Sequence, residues 1–101
     1  MSATIVRYRV KPGRAEENAE LVRAGYAELA ALRPTGVRYA TFVMEDGLTF
    51  VHIAMLDDDH DEAPLTGLKA FARFREALAE RCDVPPQPTA LPVRIGSYGL
   101  G

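Results

Sequence analysis

The chain has 101 residues, 48% of them apolar and 26% charged, with a formal net charge of −2. This fits one domain spanning residues 1–101 and excludes a disordered chain, while the mild acidity argues against a nucleic-acid partner. No apolar run approaches the ~18 residues of a membrane span, the early arginines do not suit a signal peptide, and the lone Cys82 suits a reducing compartment, so a cytoplasmic location is expected.

Thr4 to Lys11 alternates with period two, Val6, Tyr8 and Val10 on one side and Arg7, Arg9 and Lys11 on the other; Pro12-Gly13 ends this first strand. From Arg14 to Leu32 the period becomes helical. Leu21, Val22, Gly25, Tyr26, Leu29 and Leu32 form one stripe, Glu16 and Glu17 sit in the first turn, and Pro34 and Gly36 follow the end. Gly25 inside that stripe costs about 1 kcal/mol against alanine, which fits close packing on a strand or, alternatively, room for a ligand. Asp46-Gly47 signals a two-residue type I′ turn, pairing Glu45 with Leu48, Val43 with Phe50, Thr41 with His52 and Tyr39 with Ala54.

Asp57 to Glu62 is a charged connector. A second amphipathic helix is expected from Leu65 to Arg81, with Leu68, Phe71, Phe74, Leu78 and Cys82 as its stripe. Pro85 to Pro88 suggests a stiff link, and Thr89 to Tyr98 a last strand with Leu91, Val93 and Ile95 on one side and Arg94 on the other. Pro92 has no N–H to donate and makes it an edge strand. The order β-α-β-β-α-β is the split-βαβ, ferredoxin-like α+β arrangement: a four-stranded antiparallel sheet with two helices on one face.

Two helices cover only one sheet face. The most apolar set is expected beneath them: Val6, Tyr8 and Val10 with Ala40, Phe42, Met44, Val51, Ile53, Met55, Leu91, Val93 and Ile95. The open face would then carry Ile5, Val43, Phe50 and Leu56 among Arg7, Arg9, Tyr39, Thr41, His52 and Arg94. Burying one large apolar side chain is worth ~1.5–3 kcal/mol. Four left in water predict a homodimer joined through the open sheet face.

His52, beside Thr41 and near Tyr39 in this register, is the candidate catalytic residue. Histidine titrates near neutral pH and can serve as a general base toward an acidic phenol. Its competing role is a hydrogen bond to Thr41 or Tyr39 within the dimer interface; on the helix side it would instead line a pocket. Tyr8 and Tyr26 meet across the sheet–helix interface, as an amphipathic lining or as core. The expected ligand-binding set is Tyr8, Tyr26, Tyr39, Thr41 and His52. Arg7, Arg9 and Arg94 converge on an anion or on acidic groups across the dimer. Asp57, Asp59 and Asp61 mimic the start of a calcium loop, but Glu62 stands where the turn needs glycine and Leu68 where the loop needs glutamate. With His52 and His60 lacking zinc-ligand spacing, no metal is expected.

Val6-Arg7-Tyr8-Arg9-Val10-Lys11-Pro12-Gly13-Arg14-Ala15-Glu16-Glu17 resembles the opening of the dimeric α/β-barrel superfamily, in its antibiotic-biosynthesis-monooxygenase-like branch. Thr49 to Asp57 also falls where those proteins carry their third strand, and the element order matches over nearly the whole chain. The resemblance implies a ferredoxin-like protomer, a homodimeric barrel and a pocket between sheet and helices. Members include cofactor-free oxygenases of polyphenolic or quinone-like substrates and haem-degrading enzymes. This chain departs from them at three places. Ala54 and Leu56 stand where many members have Glu and Trp, Ala63 to Thr66 replace a His that opens the second helix, and Val6 replaces the Asn of the haem-degrading branch. The expected function is therefore a non-catalytic small-ligand-binding or stress/regulatory module with no cofactor. The alternative is a cofactor-independent monooxygenase-like enzyme acting on a small aromatic or polyketide-like substrate.

Overall fold

The computed structural model describes residues 2–57 and 68–99. β1 (Ser2–Val10) leads through the Pro12-Gly13 turn, Gly13 at φ +88°, into α1 (Ala15–Leu32). β2 (Val37–Val43) and β3 (Thr49–Leu56) form the hairpin. Two short helices follow, α2 (Lys69–Arg75) and α3 (Leu78–Arg81), and then β4 (Cys82–Ala90). All pairings are antiparallel in the order β2-β3-β1-β4, the ferredoxin-like α+β topology expected from the sequence.

The hairpin register is the expected one: Val43 opposes Phe50, Thr41 opposes His52 and Tyr39 opposes Ala54. Its turn is different. Gly47 N–H donates to the Met44 carbonyl and, of the residues from Glu45 to Leu48, Gly47 alone has positive φ, so the loop is a four-residue one and not a type I′ turn. Asp46 steadies it by accepting from the Leu48 and Thr49 amides and the Thr49 hydroxyl, which holds its carboxyl down to about 2. The register survives because Met44 still pairs with Thr49.

The face assignment of the hairpin is inverted relative to expectation. β1 pairs Tyr8 with Phe50 and Val6 with His52, so Val6, Tyr8 and Val10 share their face with Phe50, His52 and Leu56. This is the face beneath the helices, and Tyr8, Val10, Phe50, His52 and Leu56 are buried on it. Ala40, Phe42, Met44, Val51, Ile53 and Met55 lie on the open face with Ile5 and the arginines Arg7 and Arg9. Period two sorts residues into two sets; it is the pairing with β1 that decides which set is inside.

The last strand is also displaced. β4 is the proline-rich Cys82–Ala90, while Leu91, Val93 and Ile95 follow it as exposed chain outside any strand, Ile95 being 96% exposed. β4 is an edge strand whose register jumps twice against β1, around Arg9, and an edge with such breaks admits prolines. Arg94 therefore does not join Arg7 and Arg9; it donates to Ser97, and Arg9 faces Asp83 at 3.9 Å.

The expected second helix is broken in two. Ala77 adopts the left-handed conformation at φ +59°, ending α2 one turn before α3 begins. Glu28 of α1 caps α2, its carboxylate accepting from the Lys69 and Ala70 amides. The core contains Tyr8, Val10, Phe50, Phe74 and Cys82, with Val22, Leu21 and Leu78 against them, while Leu32 is exposed despite its place on the α1 stripe. The acidic run beyond Asp57, His60 and the stretch Ala63 to Thr66 lie outside the described residues. Among the described residues no group of acidic, His and Cys side chains could hold a metal ion, and no helix is long and apolar enough to cross a membrane.

Candidate ligand cleft at His52

β3 delivers His52 into the layer between sheet and helices, where it is 4% exposed. Both ring nitrogens are engaged. Nε2 is 2.7 Å from the Tyr8 hydroxyl; Nδ1 is 2.9 Å from that of Tyr39 and 3.0 Å from Thr41 Oγ1. Thr41 is in turn 2.7 Å from the Tyr26 hydroxyl. The Tyr8 and His52 rings stack at 5.3 Å, and Phe74 and Tyr39 pack around the imidazole. Loss of water disfavours the charged ring and pushes the His52 pKa down to about 4. The same burial pushes the Tyr8, Tyr26 and Tyr39 hydroxyls up, so they remain protonated donors.

Behind Tyr8 the hydrogen-bonded chain runs on to a buried cation. Asn18 Nδ2 donates to the Tyr8 hydroxyl at 2.9 Å, and Arg81 Nε donates to Asn18 Oδ1 at 3.1 Å. Arg81 is 1% exposed. Its other nitrogens donate to the Phe74 and Glu76 carbonyls, which the break at Ala77 leaves free at the end of α2, and its guanidinium lies 5.5 Å from the Phe74 ring centroid. A helix C-terminus is the negative end of the dipole, so these carbonyls and the amide oxygen are what make a buried arginine tolerable.

A cleft of about 230 Å³ opens beside this chain, walled by Tyr39, His52, Ala54, Leu56, Phe71 and Arg75. A narrower space of about 20 Å³ adjoins it on the α1 side, reached by Gly25, Tyr26, Leu29 and Phe71. A Cβ built on Gly25 meets nothing within 4 Å, so close packing is not the reason for this glycine; it leaves room.

Of the five expected ligand-binding residues, Tyr39 and His52 line the larger cleft, and Tyr26 lines the smaller space with them. Thr41 and Tyr8 stand one hydrogen bond behind. Tyr8 and Tyr26 do not meet directly but are joined through His52 and Thr41. Sequence reasoning passed over Asn18 and Arg81. Asn18 precedes Val22 by one helical turn and Arg81 follows Leu78 by three residues, so helical period alone would have placed both on the buried stripes.

Comparison with known proteins rests on this fold. No protein-family model matches the chain, and no curated protein does. Solved structures do match. A Nitrosomonas europaea protein provisionally named an antibiotic biosynthesis monooxygenase superposes with a TM-score of 0.76 at 22% identity, covering 97% of this chain and 100% of that one. The chain has the antibiotic-biosynthesis-monooxygenase-like fold. A second Nitrosomonas europaea protein, of unknown function, gives 0.72 at 22% identity over 99% and 95% of the two chains. SnoaB, a cofactor-independent oxygenase from Streptomyces nogalater, gives 0.69 at 19% identity over 94% of each. Ala54 and Leu56 are among the walls of the cleft beside His52.

Proposed function

We propose that this chain is a homodimeric module that binds a small aromatic or polyketide-like molecule in the His52 cleft without transforming it. The observation that carries this reading is the engagement of both imidazole nitrogens. A general base needs a lone pair free to face the substrate, and here Tyr8 occupies Nε2 while Tyr39 and Thr41 occupy Nδ1. His52 then acts as the hub that orients Tyr39 and Thr41. Phe71 and the imidazole supply flat walls and Leu56 an apolar one, a lining suited to an aromatic frame. The open sheet face supports the homodimer, since Phe42 and Met44 are 58% and 45% exposed on it.

A second reading, a cofactor-independent oxygenase, is favoured by the likeness to SnoaB and by the placement of His52 and Tyr39 in one cleft. One pair of measurements separates the two. Anthrone, an enolisable aromatic ketone, is titrated into labelled protein by NMR, and oxygen consumption is followed with catalytic protein. Shifts at Tyr39 and Phe71 with oxygen uptake no faster than in buffer support the binding module. Uptake over many turnovers establishes the oxygenase instead, and no shift at all removes both.

A further inference from the structure

A guanidinium can only donate hydrogen bonds. Arg81 therefore fixes the Asn18 amide with its oxygen toward Nε and its NH2 toward Tyr8. Tyr8, accepting from Asn18, has its own hydrogen left to give, and His52 Nε2 at 2.7 Å receives it. Burial keeps the ring neutral, so its single proton sits on Nδ1 and is given to Tyr39 at 2.9 Å or Thr41 at 3.0 Å. In either case neither hydroxyl can give its hydrogen to the ring, and Tyr39, which lines the cleft, keeps its O–H for it. Thr41 and Tyr26 share a further hydrogen bond at 2.7 Å in which either hydroxyl can donate.

We propose that Arg81 and Asn18, neither of which lines the cleft, set the direction of this whole chain and so make the Tyr39 wall a hydrogen-bond donor that selects aromatic ligands carrying an acceptor oxygen, such as aryl ketones. The selectivity rests on the ligand-cleft reading above; the direction of the chain does not. The substitution Asn18→Asp reverses it. A carboxylate only accepts, so it takes Arg81 on one oxygen and the Tyr8 hydrogen on the other. The Tyr8 oxygen then accepts from His52 Nε2–H, and Nδ1 becomes an acceptor that draws the Tyr39 or Thr41 hydrogen back from the cleft.

Long-range proton–nitrogen NMR at pH 7.5 reads the tautomer, with His60→Gln assigning the two histidines. The expected result is Nδ1–H in the wild type and Nε2–H in N18D. An Nε2–H wild type, or one tautomer in both proteins, overturns the proposal. Should N18D not fold, Asn18→Leu removes the directing donor and is expected to populate both tautomers; a pure Nδ1–H form there overturns the role of Asn18 and Arg81. Binding of 1-tetralone against tetralin, its counterpart without the carbonyl, reads the wall. A preference of roughly three- to tenfold for the ketone, lost in N18D, is expected for one neutral hydrogen bond. Equal affinities overturn the donor wall. If neither compound binds, the ligand-cleft reading falls and the donor wall with it, while the tautomers still decide the direction of the chain.

Discussion

At His52 the cost of taking a charge out of water outweighs everything the neighbours offer, because its partners are hydroxyls and not carboxylates. The unfolded chain binds a proton at the ordinary value near 6.5, whereas the folded chain does so only near 4. Its contribution to stability is thus fully present above pH 6.5 and is lost as pH falls from 6.5 toward 4, by on the order of 3 kcal/mol. Urea midpoints measured across that window check this, with His52→Gln as the reference because carboxylates also begin to titrate there. The wild type is expected to lose stability more steeply than the variant; parallel curves would refute the burial of an uncharged ring. The cluster of His52, Thr41 and Tyr39 was legible in the sequence through the hairpin register alone. For Asn18 and Arg81 helical period carries only their place on the buried stripes; that they pair with each other does not follow from it. Those partners lie 63 residues apart.

Among the elements, β1, α1 and the β2–β3 pairing follow directly from period and punctuation, and the structure reproduces them. The inside of the hairpin does not follow. β3 is a central strand, and Phe50, His52 and Leu56 on one side compete with Val51, Ile53 and Met55 on the other; both sets contain large apolar side chains. A preference for the more apolar set chose the wrong side because the open face is itself rich in apolar residues. The displacement of β4 has another origin: Pro85 to Pro88 reads as a stiff link with the edge strand after it, whereas the edge position accommodates those prolines themselves. In α1, Gly25 has helical backbone and open space around the position of a Cβ. Gly25→Ala is expected to stabilise the fold by about 0.5–1 kcal/mol, chiefly by restricting the unfolded chain. For a domain of this size that raises the thermal midpoint by a few degrees. A lowered midpoint in calorimetry would show that the space beside Tyr26 is tighter than the geometry indicates. The added methyl also narrows that space, so weaker binding of an aromatic ligand should accompany the gain in stability.

For the whole molecule, the inverted hairpin strengthens the case for two chains. The open face was expected to be a mixture of four apolar residues with arginines, tyrosine and histidine. It instead presents Phe42, Met44, Val51, Ile53 and Met55 across β2 and β3, with Phe42 58% exposed. Next to Met55, Leu91 donates to the Ala3 carbonyl, and Val93 and Ile95 beyond it are 74% and 96% exposed. A second copy facing this sheet would cover the face, and a two-fold arrangement would use each side chain twice. Phe42→Asp therefore removes two large apolar contacts worth ~1.5–3 kcal/mol each and places two carboxylates in the same apolar layer. Dimer affinity should fall on the order of a hundredfold or more. Light scattering at micromolar concentration is expected to give twice the 11.1 kDa chain mass for the wild type and the single mass for Phe42→Asp. Arg23→Asp, on the solvent side of α1, is expected to remain a dimer. A monomeric wild type, or a Phe42→Asp variant that stays dimeric, would mean that something other than a second copy covers this face.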